Sequence, residues 1–176
     1  MEEDRTLCAF DRNNLFFAIV SGDGVINIWD VTSNKCNKLK QKAHLSMKFT
    51  CLKWNQNSNL LAAGTHTGSV ICWDVKKGSE VFSWSKDDQA PINDICFSSK
   101  DSIYVCGNFS EIIEIQKDQV VRTFKGDRKR TYRLILSSDE SNLISAGHSY
   151  IKVCFLFFLN FFQIFRSIFL FFTTNY

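Results

Sequence analysis

A segment that recurs about every 40 residues is the feature of this chain that most constrains its fold. The segment 21–30 reads Ser-Gly-Asp-Gly-Val-Ile-Asn-Ile-Trp-Asp and superposes on 65–74, Thr-His-Thr-Gly-Ser-Val-Ile-Cys-Trp-Asp. Weaker copies follow at 108–115 and 148–154. Such a period is typical of repeat folds, in which each unit buries its apolar face against the next unit.

Each copy lies among short segments that read as β-strands. In chain order, each repeat has a segment of alternating polarity, then an apolar run, then the copy itself. A fourth strand-like segment follows each of the first three copies. Gly, Asn, Asp and Ser separate the segments, and no helical period is present. The pairs Asp23-Gly24 and Thr67-Gly68 fit tight hairpins, which need a residue that tolerates positive φ. The unit is therefore four short antiparallel strands, which at this period predicts an all-β propeller.

Two Trp-Asp pairs identify the type of repeat. Trp29-Asp30 and Trp73-Asp74 each close an apolar strand that follows a glycine turn. In this setting they resemble the repeats of WD-repeat β-propellers. The resemblance implies that the signature residues are structural; they are Trp29, Asp30, Trp73, Asp74, Asp23 and His44.

The repeats depart from the pattern of that family. The Gly-His pair that usually opens a repeat is present only as Ala43-His44, and Thr67 stands where the family usually places a turn aspartate. The Trp position holds Ile115 in the third copy and Cys154 in the fourth. Because no repeat has the full His–Ser/Thr–Asp–Trp set, we expect these blades to depend on packing more than on that hydrogen-bond network.

Other segments, outside the Trp-Asp pairs, are similar to WD-repeat subunits of the small-subunit processome. These segments are 43–46, 50–54, 60–65, 68–71, 141–147 and 151–153. This resemblance implies a nucleolar, non-enzymatic scaffold in pre-ribosomal RNA processing, small ribosomal subunit biogenesis and ribosomal RNA transcription. The implied partners are other processome WD-repeat proteins and, through the complex, pre-ribosomal and small nucleolar RNA. Two alternatives stay open: a WD-repeat adaptor in a ubiquitin ligase or vesicle coat, and a tail-anchored membrane protein.

The predicted propeller is incomplete. It occupies residues 1–153, with blades at about 5–42, 43–86, 87–128 and 129–153, which makes about three and a half blades. Propellers protect their strand edges by closing into a ring. With an open lateral edge and an unburied half blade, we expect this polypeptide, made alone, to be poorly soluble or to aggregate.

Residues 154–176 differ from the rest of the chain. Nine of the 17 phenylalanines lie between Phe155 and Phe172. The composition is that of a translated AT-rich intron, which predicts a tail with no evolved role. A membrane anchor is a second interpretation, opposed by Asn160, Gln163 and Arg166 within the span. A buried helix or strand is the third.

No catalytic or metal-binding pattern is present, so we predict neither an enzyme nor a cofactor. Nucleophile-elbow, phosphate-loop and zinc-protease motifs are missing from the sequence. The three histidines and seven cysteines are not at ligand spacing. An odd number of irregularly spaced cysteines favours a reducing compartment, consistent with a nuclear location.

Positive charge is the best candidate for contact with RNA or a protein partner. Seven basic residues lie between Lys117 and Arg133, against two acidic ones, although the net charge is only +3. The predicted contact residues on the loop joining blades three and four are Lys125, Arg128, Lys129, Arg130 and Arg133. A second basic patch contains Lys35, Lys38, Lys40 and Lys42. Such patches bind phosphates, but a solvated loop that keeps a β-protein soluble explains them equally well.

Overall fold

The computed structural model describes residues 7–39, 48–125, 130–147, 150–156 and 168–170. These residues form four separate four-stranded sheets. Within every sheet the strands follow one another in chain order, and every neighbouring pair is antiparallel. The predicted all-β architecture of repeated four-stranded units is therefore confirmed.

Sixteen strands make up the described sheets. The first sheet contains β1 (Cys8–Phe10), β2 (Phe16–Val20), β3 (Ile26–Asp30) and β4 (Lys35–Lys38). The second contains β5 (Phe49–Trp54), β6 (Leu60–Thr65), β7 (Ser69–Asp74) and β8 (Ser79–Ser85). The third contains β9 (Ile92–Phe97), β10 (Ile103–Gly107), β11 (Glu111–Gln116) and β12 (Gln119–Lys125). The fourth contains β13 (Thr131–Leu136), β14 (Asn142–Gly147), β15 (Ile151–Phe155) and β16 (Ile168–Leu170).

The strand registers make the four sheets equivalent, position by position. Three residues from the first three strands of each sheet stand directly opposite one another in a row across the sheet. These rows are Phe10–Phe17–Trp29, Trp54–Leu61–Trp73, Phe97–Ile103–Ile115 and Leu136–Leu143–Cys154. We call them the leading rows. Ile115 and Cys154 therefore occupy the Trp position, as the sequence predicts.

A second row lies one residue away in each sheet, and its side chains point to the opposite face because strand side chains alternate. We call these the trailing rows. They are Ala9–Ala18–Ile28, Lys53–Ala62–Cys72, Cys96–Tyr104–Glu114 and Ile135–Ile144–Val153.

The core lies between the sheets rather than within them. Three apolar clusters fill the three interfaces, and in each the trailing row of one sheet meets the leading row of the next. Between the first two sheets, Ala18 and Ile28 pack with Leu61 and Trp73, and all four are buried. Full burial of one large apolar side chain contributes about 1.5–3 kcal/mol, so these interfaces hold the stack together.

The first strands of the four sheets lie side by side along the inner edge of the stack, since β5 and β13 both contact β9 and β1 contacts β5. The indole Nε1 of Trp54 in β5 donates a hydrogen bond of 3.0 Å to the carbonyl oxygen of Ala9 in β1. This radial arrangement is that of a propeller fragment.

The fourth sheet has a complete set of strands where the sequence predicts half a blade. Its outer strand comes from the Phe-rich tail, because Ile168 pairs with Val153 and Leu170 with Ile151. Residues 168–170 of the tail thus form a strand of this sheet. In the described part of the chain no helix is long and apolar enough to cross a bilayer. The intron interpretation and the blade boundaries stay predictions, since 40–47, 126–129 and most of the tail lie outside the described residues.

Candidate interaction surfaces

The two signature tryptophans have different environments. Trp73 is fully buried, and the ring of Phe49 meets it edge-on at 6.2 Å between centroids. Its indole Nε1 has no hydrogen-bond partner among the described residues. Trp29, at the same position of the first sheet, is 41% exposed, and His44 lies outside the described residues.

The three signature aspartates hold tight turns. Oδ1 of Asp23 accepts the backbone N–H of Val25 at 3.1 Å, and Oδ1 of Asp74 accepts that of Lys77 at 2.9 Å. Oδ1 of Asp30 accepts the Thr32 hydroxyl at 2.5 Å. That hydroxyl, with the backbone N–H of Ser33, lowers the pKa of Asp30 to about 2. Each carboxylate is thus satisfied within its own turn.

The structure divides the predicted basic patch. Lys125 ends the outer strand β12 and Arg130 precedes β13; both are exposed. Arg133 does not lie in the loop but in the innermost strand β13. Arg128 and Lys129 lie outside the described residues. The buried Lys152 of β15 reaches back and donates from Nζ to the carbonyl oxygen of Lys125, which ties the fourth sheet to the end of the third.

Arg133 instead meets a buried carboxylate that sequence reasoning missed. Asp94 of β9 is 1% exposed, and its Oδ2 accepts the backbone N–H of Leu134 at 3.0 Å. Its Oδ1 lies 3.7 Å from Nζ of Lys53 and 4.0 Å from Nη1 of Arg133. Three successive innermost strands therefore share one charge cluster. The sequence signal that could have revealed Asp94 is its position in the repeat, since Cys51 and Arg133 occupy the same position in the neighbouring sheets.

A second missed feature is one turn repeated in all four sheets, between the first and second strands. The carbonyl oxygen of its first residue accepts a hydrogen bond from the backbone N–H of the residue three places on, which has a φ between 56° and 60°. These pairs are Asp11–Asn14, Asn55–Ser58, Ser98–Asp101 and Ser137–Glu140, with φ of 56°, 57°, 60° and 56°. Asp11, Asn55 and Ser98 are buried although they are polar.

These turns bond to one another across all three interfaces. Ser58 Oγ donates to Asp11 Oδ2 at 2.6 Å, and Asn55 Nδ2 donates to Asp101 Oδ1 at 2.9 Å. Ser99 Oγ donates to Glu140 Oε2 at 2.8 Å. In every case the left-handed residue of one sheet bonds to the turn of the sheet before it. We call this chain of contacts the turn belt; it fixes the spacing of the loops on one face of the stack.

A cleft of about 490 Å³ opens beside the first strands. All four first strands contribute to its walls, with Phe10, Trp54, Phe97 and Leu136 among the lining residues. Lys53 and Arg12 bring positive charge to it. Apolar and basic side chains therefore line the same cleft.

Three thiols of the described residues are not activated as nucleophiles. Burial raises the pKa of the Cys51, Cys72 and Cys96 thiols to about 12, and the Asp94 carboxylate adds to the effect at Cys51 and Cys96. These thiols are therefore protonated at neutral pH. No group of three His, Cys, Asp or Glu residues that could hold a metal is found in the described ranges.

Comparison with known proteins agrees with this architecture. Human WD repeat-containing protein 43 is 28% identical over 81% of this chain, and the match covers 25% of the human protein. A WD repeat-containing protein of Dictyostelium discoideum is 30% identical over 77% of this chain and is covered over 7% of its own length. The chain thus spans a quarter or less of these two relatives.

A solved chain in the crystal structure of the mitotic checkpoint complex shares the fold, with a TM-score of 0.72 and 18% identity. The alignment covers 84% of this chain and 46% of that one. The family model described as the nucleolar protein 10-like N-terminal domain, a β-propeller, matches residues 2–152. The chain therefore belongs to the family of nucleolar protein 10-like N-terminal β-propeller domains, within the WD-repeat proteins.

Proposed function

We propose that this chain is a non-enzymatic WD-repeat scaffold of the nucleolar small-subunit processome, acting in pre-ribosomal RNA processing and small ribosomal subunit biogenesis. The observation that carries the proposal is the match to the nucleolar protein 10-like domain over residues 2–152. The similarity to human WD repeat-containing protein 43 supports it. Its partners would be other processome WD-repeat proteins, and its location the nucleolus.

The geometry suits a scaffold. The turn belt fixes four loops relative to one another through direct side-chain hydrogen bonds. At the rim, the outer strand β4 is exposed along its whole length. Rigid blades that present loops and outer strands can hold several partners in place at once, which requires no bond chemistry.

Purification of the tagged protein from nucleolar extracts tests the proposal. We expect small nucleolar RNA and other WD-repeat proteins of the processome to co-purify with it, and a fluorescent fusion to concentrate in nucleoli. A variant with Asp94→Ala and Trp73→Ala, which weakens the stack itself, serves as the unfolded control. Recovery of ubiquitin-ligase or vesicle-coat subunits instead would refute the processome assignment.

Direct contact with RNA is a narrower proposal, which rests on Lys125 and Arg130. Both are exposed and flank the connection between the third and fourth sheets. Bound phosphates displace counterions, so affinity for a single-stranded RNA should fall steeply as salt is raised. The variant Lys125→Glu with Arg130→Glu should bind more weakly and show a shallower salt dependence.

The matched control is Lys35→Glu with Lys38→Glu, which makes the same change of charge on the exposed strand β4. We expect this control to keep most of the RNA affinity. Equal losses in the two double variants would mean that net charge, and not the connection between the sheets, governs binding.

A further inference from the structure

Five strands of the described sheets contain one residue more than the strand with which they pair. In β8, for example, Glu80 stands opposite Trp73, and Phe82 stands opposite Cys72. Val81, between them, is skipped by the pairing. Such an extra residue is a β-bulge, in which two residues of one strand stand opposite one residue of the other. The five extra residues are Thr50, Val81, Asn93, Val121 and Tyr132.

All five bulges lie on edge strands, which are the first or the last strand of a sheet. The edge strands that have a bulge are six or seven residues long; they are β5, β8, β9, β12 and β13. The edge strands without one are three or four residues long; they are β1, β4 and β16. The pairings between the two middle strands of each sheet show no bulge. A bulge therefore occurs wherever a described edge strand is longer than four residues.

The bulges leave only short stretches of regular edge. On each bulged strand the longest stretch in unbroken register is four residues; the five stretches are 51–54, 82–85, 94–97, 122–125 and 133–136. The unbulged outer strand β4 also pairs over four residues. Among the strands that the structure describes, no edge thus presents more than four successive residues in regular pairing.

Two of the bulged strands, β8 and β12, form the rim of the second and third sheets. Both sheets pack against a described sheet on either side, so the ends of the chain do not create this rim. The outer side of β8 and of β12 pairs with no described strand. Each strand is seven residues long, has neither proline nor glycine, and contains several β-branched or aromatic residues. Unpaired strands of this kind are templates for pairing with a second chain.

We propose that the bulges at Val81 and Val121 guard this rim against edge-to-edge pairing with a second copy of the chain. A bulge bends its strand and increases the local twist, so a straight partner strand does not follow the edge past it. The two valines stand at the same position of their sheets, because each follows the residue opposite the Trp position. Val81 is 54% exposed and Val121 51%, so core packing does not account for them.

The outer strand of the first sheet is protected in another way. β4 has no bulge, but it is only four residues long, and it begins with Lys35 and ends with Lys38. Short length and lysine side chains are two further means by which natural sheets protect an edge. The bulges are thus found on the two outer strands whose length and composition make pairing favourable, and not on the one where length and charge already oppose it.

Deletion of a bulge residue tests the proposal, because it restores a regular edge and changes no other pair. Without Val81, Glu80 and Phe82 become neighbours and keep Trp73 and Cys72 as partners, which gives six residues in register. Deletion of Val121 has the same effect in β12. We expect each deletion variant of the 176-residue chain to keep its β-structure and to aggregate several-fold faster than the parent chain. Sedimentation and thioflavin T fluorescence at matched concentrations measure this rate.

Val81→Thr and Val121→Thr are the matched controls, since they keep the extra residue and a β-branched side chain. Both should aggregate at the rate of the parent chain. In the Val81 deletion, Ser83→Lys places a charge on the exposed part of the restored edge and should slow aggregation again. Gly22→Lys adds the same charge in an exposed turn with open space around it and should not.

Four results would overturn the proposal. Unchanged aggregation of the deletion variants would mean that the bulges only accommodate an extra residue. Loss of β-structure by circular dichroism in both deletions would mean that the sheets themselves require that residue. Faster aggregation of the two threonine variants would assign the effect to the valine side chains. Equal slowing by the lysines at positions 83 and 22 would mean that net charge, and not the edge, governs aggregation.

Discussion

Trp29 and Trp73 occupy the same position in the first and second sheets, yet one is 41% exposed and the other is fully buried. Each stands opposite the middle residue of its leading row, Phe17 in one case and Leu61 in the other. The difference comes from the neighbour: the first sheet covers Trp73, and no described sheet covers Trp29. A residue of the repeat signature is thus core or surface depending on its place in the stack.

This difference predicts unequal costs for the same truncation. Trp73→Ala should lower the free energy of unfolding by about 3–5 kcal/mol, because it leaves a cavity between two sheets. Trp29→Ala should cost much less in the isolated chain, since a large part of that side chain is already in contact with water. Urea denaturation followed by circular dichroism measures both, at concentrations where the mass is that of one chain.

Equal losses for the two tryptophans would contradict this account, because they would mean that Trp29 is covered in the monomer. Val81→Ala, at an exposed site of β8, provides the baseline for an aliphatic truncation outside the core.

The close contact between the second and third sheets at Gly64 gives a second prediction. A Cβ added to Gly64 would lie 2.6 Å from Cγ2 of Ile92 and 2.7 Å from Sγ of Cys51. Gly64→Ala should therefore destabilise the chain by about 1–3 kcal/mol through overpacking between the second and third sheets. At Gly22 a Cβ meets nothing within 4 Å, so Gly22→Ala should be neutral or slightly stabilising.

Thermal unfolding of the two glycine variants gives a direct comparison. If Gly64→Ala melted at the same temperature as Gly22→Ala, the second and third sheets could move apart at little cost. That result would contradict the close packing around the fully buried Ile92.

The repeat period and the short apolar segments between turn residues predicted the four-stranded sheets. The same pattern predicted that Ile115 and Cys154 take the Trp position. The turn belt could not be read this way. Its residues, such as Ser58 and Glu140, are those of ordinary solvated turns, and their contacts join positions more than 40 residues apart.

Asp94 was missed, and Arg133 was assigned to the wrong element, for a related reason. Spacing along the chain placed Arg133 with the basic loop, but a strand side chain faces what the neighbouring sheet brings to it. The tail shows a limit of composition: it marks residues 154–176 as unusual, yet the pairing of Ile168 with Val153 depends on an edge that only the folded sheet presents.

The buried carboxylate of Asp94 gives a third prediction. Asp94→Ala should cost about 1–3 kcal/mol, since it removes the acceptor for the backbone N–H of Leu134. Asp94→Asn keeps an oxygen acceptor there and should cost less. Lys53→Ala should cost under about 1 kcal/mol, because Lys53 is 43% exposed and its ion pair is screened by water.

Denaturant titration of these three variants ranks the contributions. If Lys53→Ala proved as costly as Asp94→Ala, the ion pair and not the hydrogen bond to Leu134 would hold the innermost strands together.

The turn at Asp30 gives the last prediction, which concerns pH. The Thr32 hydroxyl is the largest of the contacts that lower the pKa of Asp30 from its ordinary value of 3.8 to about 2. Because the folded pKa lies below the unfolded one, this carboxylate stabilises the fold above pH 3.8, and the contribution disappears as pH falls towards 2. Thr32→Val removes that hydroxyl, so the pKa of Asp30 should rise towards 3.8 and the loss of stability in acid should be shallower. Carboxyl-carbon NMR titration measures the pKa directly.

Asp139 is the internal control: the Ser137 and Ser141 hydroxyls lower its pKa to about 2 as well, and the Thr32 substitution should leave it there. An Asp30 pKa still near 2 in Thr32→Val would show that the backbone N–H groups of the turn and the Ser33 side chain, rather than the Thr32 hydroxyl, set the pKa of this repeat residue.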